Sequence, residues 1–370
     1  MIFMKIALNI LLIANSNQIG GGNRSLETLS LGLKQAGHTP ILVFPSEGPA
    51  TELFRSHEID VFVTPIIQPS IQNPLTILSG FLTWRRLLKN NNIDIVHTNG
   101  TLAARSMALA AKINKTPQIC HIRFDFGKPY YEWAFRNLPS PQSFIFVSRS
   151  MQSNIEHILK KRSPKAKYHI VHNAVILSTK PMRSVTGKVN KIGIVANLQK
   201  IKGHEDFFNM ARTLLNTYPN LHFDVIGTDV QNEGRETQLK KIVNDKLLND
   251  NVTFHGHVSD VYSAIDELDL VICPSHEEPF GRCAIEAMSR GKPVIVTNVG
   301  GLPEIVENKK NGFVVPPKSP PALVEAVSIL MKDKSLRQSI STNNIQKVEM
   351  SFSQKGHTDK ILTLYQELLQ

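Results

Sequence analysis

The stretch from Leu270 to Val306 decides the fold and reads LVICPSHEEPFGRCAIEAMSRGKPVIVTNVGGLPEIV. Its first four residues, Leu270–Cys273, are all apolar and predict a short strand buried on both faces. A helix is predicted over Arg282–Arg290, and a second apolar run, Val294–Val296, follows it. A strand, a helix and a second strand in this order are typical of a parallel sheet with crossover helices.

The same alternation continues through both halves of the chain. The other predicted strands are Ile6–Ile13, Ile41–Phe44, Val61–Val63, Ile93–His97, Gln118–Ile122, Ser143–Val147, His169–Val171, Ile192–Val195, His222–Ile226, Val252–Phe254 and Phe313–Val315. Further helices are predicted over Glu205–Tyr218, Ala322–Met331 and Thr358–Leu369. Residues 173–191 hold Pro, Gly, Ser, Thr and Lys, and are interpreted as a linker.

We therefore predict an α/β fold of two Rossmann-like domains that face each other across a cleft. The first domain is placed at residues 1–175 and the second at residues 188–350, with the C-terminal helix 354–370 able to pack back on the first. A length of 370 residues suits two such domains, and the hydrophobic fraction of 41% gives each a core.

The formal charge of +11 favours an anionic partner. The basic residues are scattered and no zinc-finger or RNA-recognition spacing occurs, so nucleic acid is not expected. The three cysteines, Cys120, Cys273 and Cys283, match neither a metal knuckle nor a CxxC pair and are interpreted as reduced thiols of a cytoplasmic protein. The apolar run after Lys5 fits a short secretory signal or a first strand, and the glycine loop behind it favours the strand.

The loop after Leu270–Cys273 carries Glu278, and Glu286 follows eight residues later on the predicted helix. Free N–H groups at the start of that helix favour an anion, and carboxylates accept hydrogen bonds from a vicinal diol. The pair can therefore hold a ribose and a sugar around a phosphate. It can equally be structural, with the two Glu residues capping the helix and pairing with Arg282 or Arg290.

Residues 278–288, EPFGRCAIEAM, resemble the E-x7-E motif of the retaining glycosyltransferase family 4, which has the GT-B fold. The segments GKPV (291–294), GGLPE (300–304), GGGNR (20–24) and DIVHT (94–98) are similar to the same family. The resemblance implies that Glu286 holds the donor ribose and that Glu278 contacts the transferred sugar. It also implies that the amides of Phe280 and Gly281 face the donor and that Val258 lies near the nucleobase.

Phosphate charge must be met by something positive when the sugar–phosphate bond breaks. The sequence contains no Asp-x-Asp motif, so neither a metal nor another cofactor is expected. Lys202 opens a helix beside a glycine and suits a diphosphate. In the family that the chain resembles, an Arg precedes this Lys and shares the phosphates, whereas here Asn197 stands at that position. Lys200 either supplies the missing charge or is a solvated surface residue.

Two further candidate groups lie in the first half of the chain. Gly20, Gly21 and Gly22 follow the first strand and are interpreted as a donor-binding loop that closes over diphosphate or acceptor, or as an ordinary turn. As a dinucleotide fingerprint the loop fails, because the third glycine is absent. His121 resembles the acceptor-side His of the family, with a neutral ring that Asp125 can orient, or it is simply a satisfied His at a strand end.

The segment from Pro74 to Lys89 mixes leucines with arginines, so it predicts either a core helix or a basic amphipathic helix on an anionic membrane. The combined prediction is a metal-independent, retaining hexosyltransferase of envelope or surface polysaccharide synthesis, lipopolysaccharide included. It takes a nucleotide-diphosphate sugar to a saccharide or lipid-linked acceptor, in the cytoplasm or at the inner face of the membrane. The alternatives are a nucleotide-sugar epimerase, a nicotinamide oxidoreductase and a non-catalytic sugar-nucleotide-binding protein.

Overall fold

The computed structural model of the protein describes residues 7–178 and 182–370. The chain divides into two compact units, Met1–Ala174 with Gln354–Gln370, and Val175–Ser353. The predicted start of the first strand at Ile6 lies outside the described residues, as does the middle of the predicted linker, at positions 179–181.

The first unit contains a parallel sheet of seven described strands in the order β3-β2-β1-β4-β5-β6-β7. The strands are β1 Asn9–Ile13, β2 Thr39–Phe44, β3 Asp60–Val63, β4 Ile95–Thr98, β5 Gln118–Ile122, β6 Ser143–Phe146 and β7 Lys167–Ile170. The helices between them are α1 Gly21–Gln35, α2 Pro49–Ser56, α3 Pro74–Asn90, α4 Thr101–Asn114, α5 Lys128–Ala134 and α6 Arg149–Arg162.

Both faces of this sheet are covered, because alternate residues of a strand point to opposite sides. In β1, Ile10 and Leu12 belong to a core shared with α1, α2 and the C-terminal helix. Leu11 and Ile13 belong to a separate core that includes Trp84 of α3 and residues of α4. Burial on both sides explains why a central strand such as β1 is almost entirely apolar.

The second unit contains a parallel sheet of six described strands in the order β10-β9-β8-β11-β12-β13. The strands are β8 Lys191–Val195, β9 His222–Ile226, β10 Val252–Gly256, β11 Leu270–Cys273, β12 Val294–Thr297 and β13 Phe313–Val315. The helices are α7 His204–Leu215, α8 Arg235–Asp245, α9 Val261–Asp266, α10 Arg282–Ser289, α11 Leu302–Ile305, α12 Pro320–Lys332 and α13 Lys334–Ser351, with a 3-10 turn at Lys200–Lys202 before α7.

The C-terminal helix α14, Gln354–Leu369, belongs to the first unit. The side-chain amide of Gln354 donates to the carbonyl of Thr28 on α1 at 2.8 Å. Ile361, Leu364 and Tyr365 pack into the core of β1 and α1. The helix therefore supplies side chains to the interior of a unit whose strands end almost two hundred residues earlier in the chain.

Candidate functional site

The strand order of the second sheet reverses between β8 and β11, which are neighbours with Leu270 opposite Ile192. The connections that leave their carboxyl ends diverge there, and this is where open α/β sheets bind ligands. Residues 196–203 follow β8 and residues 274–281 follow β11. Most of the predicted donor-side residues fall in these two segments or in the helix behind the second.

Lys202 and Glu278 come together at this point. The ammonium of Lys202 donates to Oε2 of Glu278 at 2.7 Å, and the two side chains are only 17% and 11% exposed. Burial opposes the charged form of the lysine, but the charge of Glu278 and the hydrogen bond to it outweigh this effect and raise the pKa of Lys202. The pair thus places a shielded ammonium at the carboxyl end of the sheet, and the binding of a diphosphate by Lys202 stays a prediction.

Glu286 lies on α10 and is also paired. Its Oε1 accepts a hydrogen bond at 2.7 Å from Nε of Arg282, one helical turn earlier. Arg290, the other partner considered from the sequence, binds Asp266 through two hydrogen bonds of 2.8 and 2.7 Å. A carboxylate has about four acceptor positions, so the pairing with Arg282 leaves Glu286 able to accept from a diol as well.

Two glycines allow other parts of the backbone to lie close against the segment that follows β11. Gly300 has φ of +51°, and a Cβ there would lie 1.8 Å from the carbonyl oxygen of Glu278. Gly203 has φ of +73°, and a Cβ there would lie 2.0 Å from the carbonyl oxygen of Pro274. Any larger residue at either position would displace the backbone that carries Glu278 or Lys202.

Sequence reasoning missed a second link between the segments. Nε2 of His276 lies 2.7 Å from Oδ2 of Asp206 on α7, and the amide of His276 donates to the carbonyl of Ile201 at 2.7 Å. No local pattern indicates a role for His276, because its partner Asp206 lies 70 residues away in the chain. These bonds hold the loop after β11 against the start of α7 and so support the position of Glu278.

The remaining donor-side candidates lie around this centre. Phe280 is buried and its ring packs edge-on against Phe352 at 5.9 Å between centroids. Asn197 is half-buried directly after β8, and Val258 is half-buried in the connection from β10 to α9. Within residues 7–178 and 182–370, no hydrogen bond joins Asn197 to Lys202 or Glu278. Lys200 is exposed.

The sheet of the first unit reverses its order between β1 and β4, and the glycines Gly20–Gly22 lie at that point. The prediction that all three form a loop is wrong, because α1 begins at Gly21 and only Gly20 precedes the helix. Asn23 anchors the turn by donating to the carbonyls of Ser16 and Gln18 at 2.7 and 2.8 Å. What the segment offers a ligand is therefore the N–H groups at the start of α1.

His121 is fully buried at the end of β5 and belongs to a chain of hydrogen bonds. The hydroxyl of Tyr365 lies 2.8 Å from Nδ1 of His97, and Nε2 of His97 lies 3.2 Å from Nδ1 of His121. Arg123 also meets Nδ1 of His121 at 3.2 Å. Since a guanidinium only donates, Nδ1 of His121 must accept, and the proton of this ring lies on Nε2.

Burial, together with the charge of Arg123, holds the pKa of His121 well below its usual range, so the ring is neutral. Its Nε2 has no hydrogen-bond partner among the described residues and is a buried donor without an acceptor. The prediction that Asp125 orients this ring is wrong. Asp125 is exposed and its Oδ1 accepts from the amide of Gly127 at 2.9 Å, because the chain turns away from the sheet after Arg123.

Helix α3 combines the two alternatives left open for its sequence. Gly80, Trp84 and Leu88 are buried, which fits a core helix. Its opposite face is exposed at Leu75, Leu78, Leu82, Arg85, Arg86 and Lys89. Of the helices in the described ranges, none is long and apolar enough to cross a membrane.

Comparison with known proteins matches both units to glycosyltransferase families. Residues 19–179 match the family model described as Glycosyltransferase Family 4, and residues 180–347 match the model described as Glycosyl transferases group 1. The capsular polysaccharide biosynthesis glycosyltransferase CapM of Staphylococcus aureus is 31% identical over 180 residues, which cover 48% of this chain and 46% of CapM.

Two other matches span nearly the whole chain. The N,N'-diacetylbacillosaminyl-diphospho-undecaprenol alpha-1,3-N-acetylgalactosaminyltransferase of Campylobacter jejuni is 23% identical and covers 89% of this chain and 92% of its own length. The crystal structure of Anabaena Alr3699/HepE in complex with UDP-glucose superposes with a TM-score of 0.83 at 20% identity, covering 97% of this chain and 100% of that one. At this identity the superposition establishes a common fold.

Proposed function

Because the chain belongs to the glycosyltransferases of family 4 and group 1, we propose that it moves a sugar, with retention, from a nucleoside-diphosphate donor to a saccharide or lipid-linked acceptor. The family assignment and the enzyme class agree with the predictions from the sequence. The predicted GT-B class is also confirmed, by the two parallel sheets and the superposition on Alr3699/HepE.

The observation that carries the proposal is the arrangement after β8 and β11. The ammonium of Lys202 has three N–H donors, so it can keep its bond to Glu278 and still donate to a phosphate oxygen. Glu286 retains acceptor positions for the ribose diol beside Arg282. A diphosphate held in this way meets positive charge from a side chain, and we propose that no metal is needed. Retention of full activity in EDTA is the expected result.

Transfer with retention then proceeds by attack on the same face from which the diphosphate departs. The acceptor oxygen bonds to the anomeric carbon, the bond to the phosphate oxygen breaks, and the acceptor proton passes to the departing phosphate. Negative charge grows on the leaving group, so Lys202 contributes more in the transition state than in the ground state. The Nε2 donor of His121, in the first unit, suits a hydroxyl of the acceptor.

Two substitutions separate these roles in an assay with a panel of nucleotide sugars, beginning with the UDP-sugars. Lys202→Met should lower kcat about a hundredfold, as removal of one oxyanion-stabilising donor does. Glu286→Gln should mainly raise KM for the donor, because the ribose is bound in ground and transition states alike. Lys240→Met is the matched control, since Lys240 also pairs with a glutamate at 2.7 Å but on an exposed helix face.

Lys202→Met leaves a buried carboxylate without its cation, so folding must be checked. The double variant Lys202→Met/Glu278→Gln removes both charges and should unfold close to the wild-type temperature while remaining inactive. Near-normal turnover in both single variants would contradict the site. Conversion of the donor in the absence of any acceptor would indicate an epimerase instead.

We propose that the exposed face of α3 contacts an anionic membrane from its cytoplasmic side, where a lipid-linked acceptor is embedded. Leu75, Leu78, Leu82, Arg85 and Lys89 follow one another at spacings of three or four and so lie on one face of the helix, with Arg86 exposed beside Arg85. That face is apolar at Leu75, Leu78 and Leu82, with 74%, 55% and 51% exposure, and becomes basic towards its end. Leucines can enter the headgroup region while the basic end meets anionic lipids.

Vesicle flotation tests this surface. The protein should float with vesicles containing phosphatidylglycerol and remain behind with neutral ones, and Arg85→Glu/Arg86→Glu should abolish the difference. Lys332→Glu/Lys334→Glu makes the same change in net charge at two exposed positions of the other unit and should float like the wild type. Equal flotation on neutral and anionic vesicles would remove the membrane proposal without affecting the donor site.

A further inference from the structure

Two cysteines lie side by side at the base of the loop after β11. Sγ of Cys273, the last residue of β11, is 3.3 Å from Sγ of Cys283 in the first turn of α10. Both are free thiols; Cys273 is buried and Cys283 half-buried. We propose that this pair is an oxidative-modification site that a hydroperoxide converts into a disulfide, and that the disulfide slows sugar transfer.

The geometry requires only a short movement. A disulfide bond is about 2.05 Å long, so the two sulfur atoms have to approach each other by a little more than about 1 Å. The contact depends on the fold, because the strand end and the helix start are brought together by the turn between them. Cys120 provides an internal contrast, since it is buried in β5 of the first unit and both other cysteines of the chain belong to the second.

The two thiols have different environments. Cys283 is the more accessible of the two and lies in the first turn of α10, whereas Cys273 is buried at the end of β11. Its hydrogen bond with Cys273, together with burial, raises the pKa of the Cys273 thiol well above its usual range. Cys283 is therefore the thiol that meets the peroxide, and Cys273 keeps its proton until the second step.

The reaction balances as two thiols and one hydrogen peroxide giving one disulfide and two waters. The Cys283 thiolate attacks a peroxide oxygen, the oxygen–oxygen bond breaks, and a sulfenic acid and hydroxide form; the hydroxide takes up a proton and leaves as water. The sulfur of Cys273 then attacks the sulfenic sulfur, the sulfur–oxygen bond breaks, and the hydroxyl leaves with the Cys273 proton as the second water. The pair loses two electrons and the peroxide gains them.

The disulfide would close the loop that carries Glu278, Phe280 and Gly281. Drawing the sulfurs together shifts one or both ends of this loop by up to about 1 Å, and a displacement of that size in a catalytic group can cost about a hundredfold in rate. We expect kcat/KM to fall at least tenfold. Formation of the disulfide is independent of the proposed function, whereas its effect on transfer rests on it.

The test treats the purified chain with stoichiometric hydrogen peroxide and follows two readouts. Peptide mapping without reductant should show residues 273 and 283 joined, with the loss of two hydrogens, and transferase activity should fall and return with dithiothreitol. Cys283→Ser should keep its own untreated activity after peroxide. Cys120→Ala should respond to peroxide as the wild type does.

If the 273–283 disulfide does not form, or if Cys283 is oxidised irreversibly instead, the proposal that this pair is an oxidative-modification site is wrong. A disulfide with unchanged kcat/KM would overturn its coupling to the donor loop, and so would an equal loss of activity in Cys283→Ser. If the reduced protein transfers no sugar from any donor in the panel, it is the proposed function that fails, and the peptide map still decides whether the cysteines are joined.

Discussion

His204 makes the stability of the second unit sensitive to acid. It is the first residue of α7 and is fully buried, and neither ring nitrogen has a hydrogen-bond partner among the described residues. Burial lowers the pKa of His204 to about 3, and the charges of Arg235 and Lys202 act in the same direction. In the unfolded chain the pKa of a histidine is about 6.5, so folding holds this ring in its neutral form.

The direction of the pH dependence of stability follows from which state binds the proton. Between the two pKa values the unfolded chain binds a proton that the folded chain does not, so stability falls as the pH is lowered. The contribution of His204 is fully present above about pH 6.5 and is lost progressively towards its folded pKa of about 3. When the pH is lowered from about 7 to about 5, His204 alone should reduce the free energy of unfolding of the second unit by about 2 kcal/mol.

His204→Leu isolates the effect, because an apolar side chain of similar size loses no hydrogen bond in the described structure. The free energy of unfolding can be measured for the second unit alone by hydrogen exchange of peptides from β8 and β9 in low urea. When the pH is lowered from about 7 to about 5, the free energy of unfolding of the variant should fall by about 2 kcal/mol less than that of the wild type. His257→Leu, at an exposed position, should keep the wild-type pH dependence. If His204→Leu and wild type show the same pH dependence, the ring is not held neutral and the reasoning fails.

Gly300→Ala should lower the thermal unfolding temperature more than Gly234→Ala. Both glycines have positive φ, but a Cβ at Gly234 meets nothing within 4 Å, whereas a Cβ at Gly300 meets the carbonyl oxygen of Glu278. Equal falls in unfolding temperature would show that the contact between Gly300 and the loop is not tight. Tyr365→Phe should lower kcat/KM without unfolding the protein, because it removes the hydrogen bond that orients His97. Tyr168→Phe, which removes a hydroxyl bonded to a backbone carbonyl, is the control, and equal activity of the two variants would exclude an orienting role.

Many strands were predictable because burial on both faces favours short runs that are mostly apolar. Gln118–Ile122, His222–Ile226, Leu270–Cys273 and Phe313–Val315 have the same bounds in sequence and structure. Strand ends were less predictable, since they depend on the hydrogen bonds of neighbouring strands. The strand predicted over Ile93–His97, for example, is found at Ile95–Thr98, where it pairs with β1 and β5.

Helix α13 was not predicted at all. Its sequence, KSLRQSISTNNIQKVEMS, is rich in Ser, Thr and Asn, which have weak helix propensity. Only Arg337, Ile340, Asn344 and Val348 are buried, and two of these are polar. Asn344 donates to the carbonyl of Lys292, and Arg337 donates to several backbone carbonyls, at positions as distant as Val185. Tertiary contacts of this kind stabilise the helix and leave no apolar periodicity to detect.

The partners of the site residues depend on the order of the strands, which no local pattern reports. Glu278 was recognised from its motif and Lys202 from its place before a helix, but they are 76 residues apart. Because β8 and β11 are neighbouring parallel strands, the residues that follow their carboxyl ends lie close together. The Tyr365–His97 bond spans 268 residues and required the position of α14, which is why Asp125, the nearest carboxylate in sequence, was wrongly assigned to His121.

The nearly buried pair of Lys202 and Glu278 has a physical consequence for catalysis. Removing two charges from water costs several kcal/mol for each ion, and a single ion pair returns only part of it. Such a pair is a poor way to stabilise a fold, but it holds an ammonium dehydrated and fixed before the substrate arrives. A diphosphate that develops charge beside it then needs little reorganisation of the site. The pair also raises the pKa of Lys202, so the lysine stays charged throughout the pH range in which a transferase would be assayed.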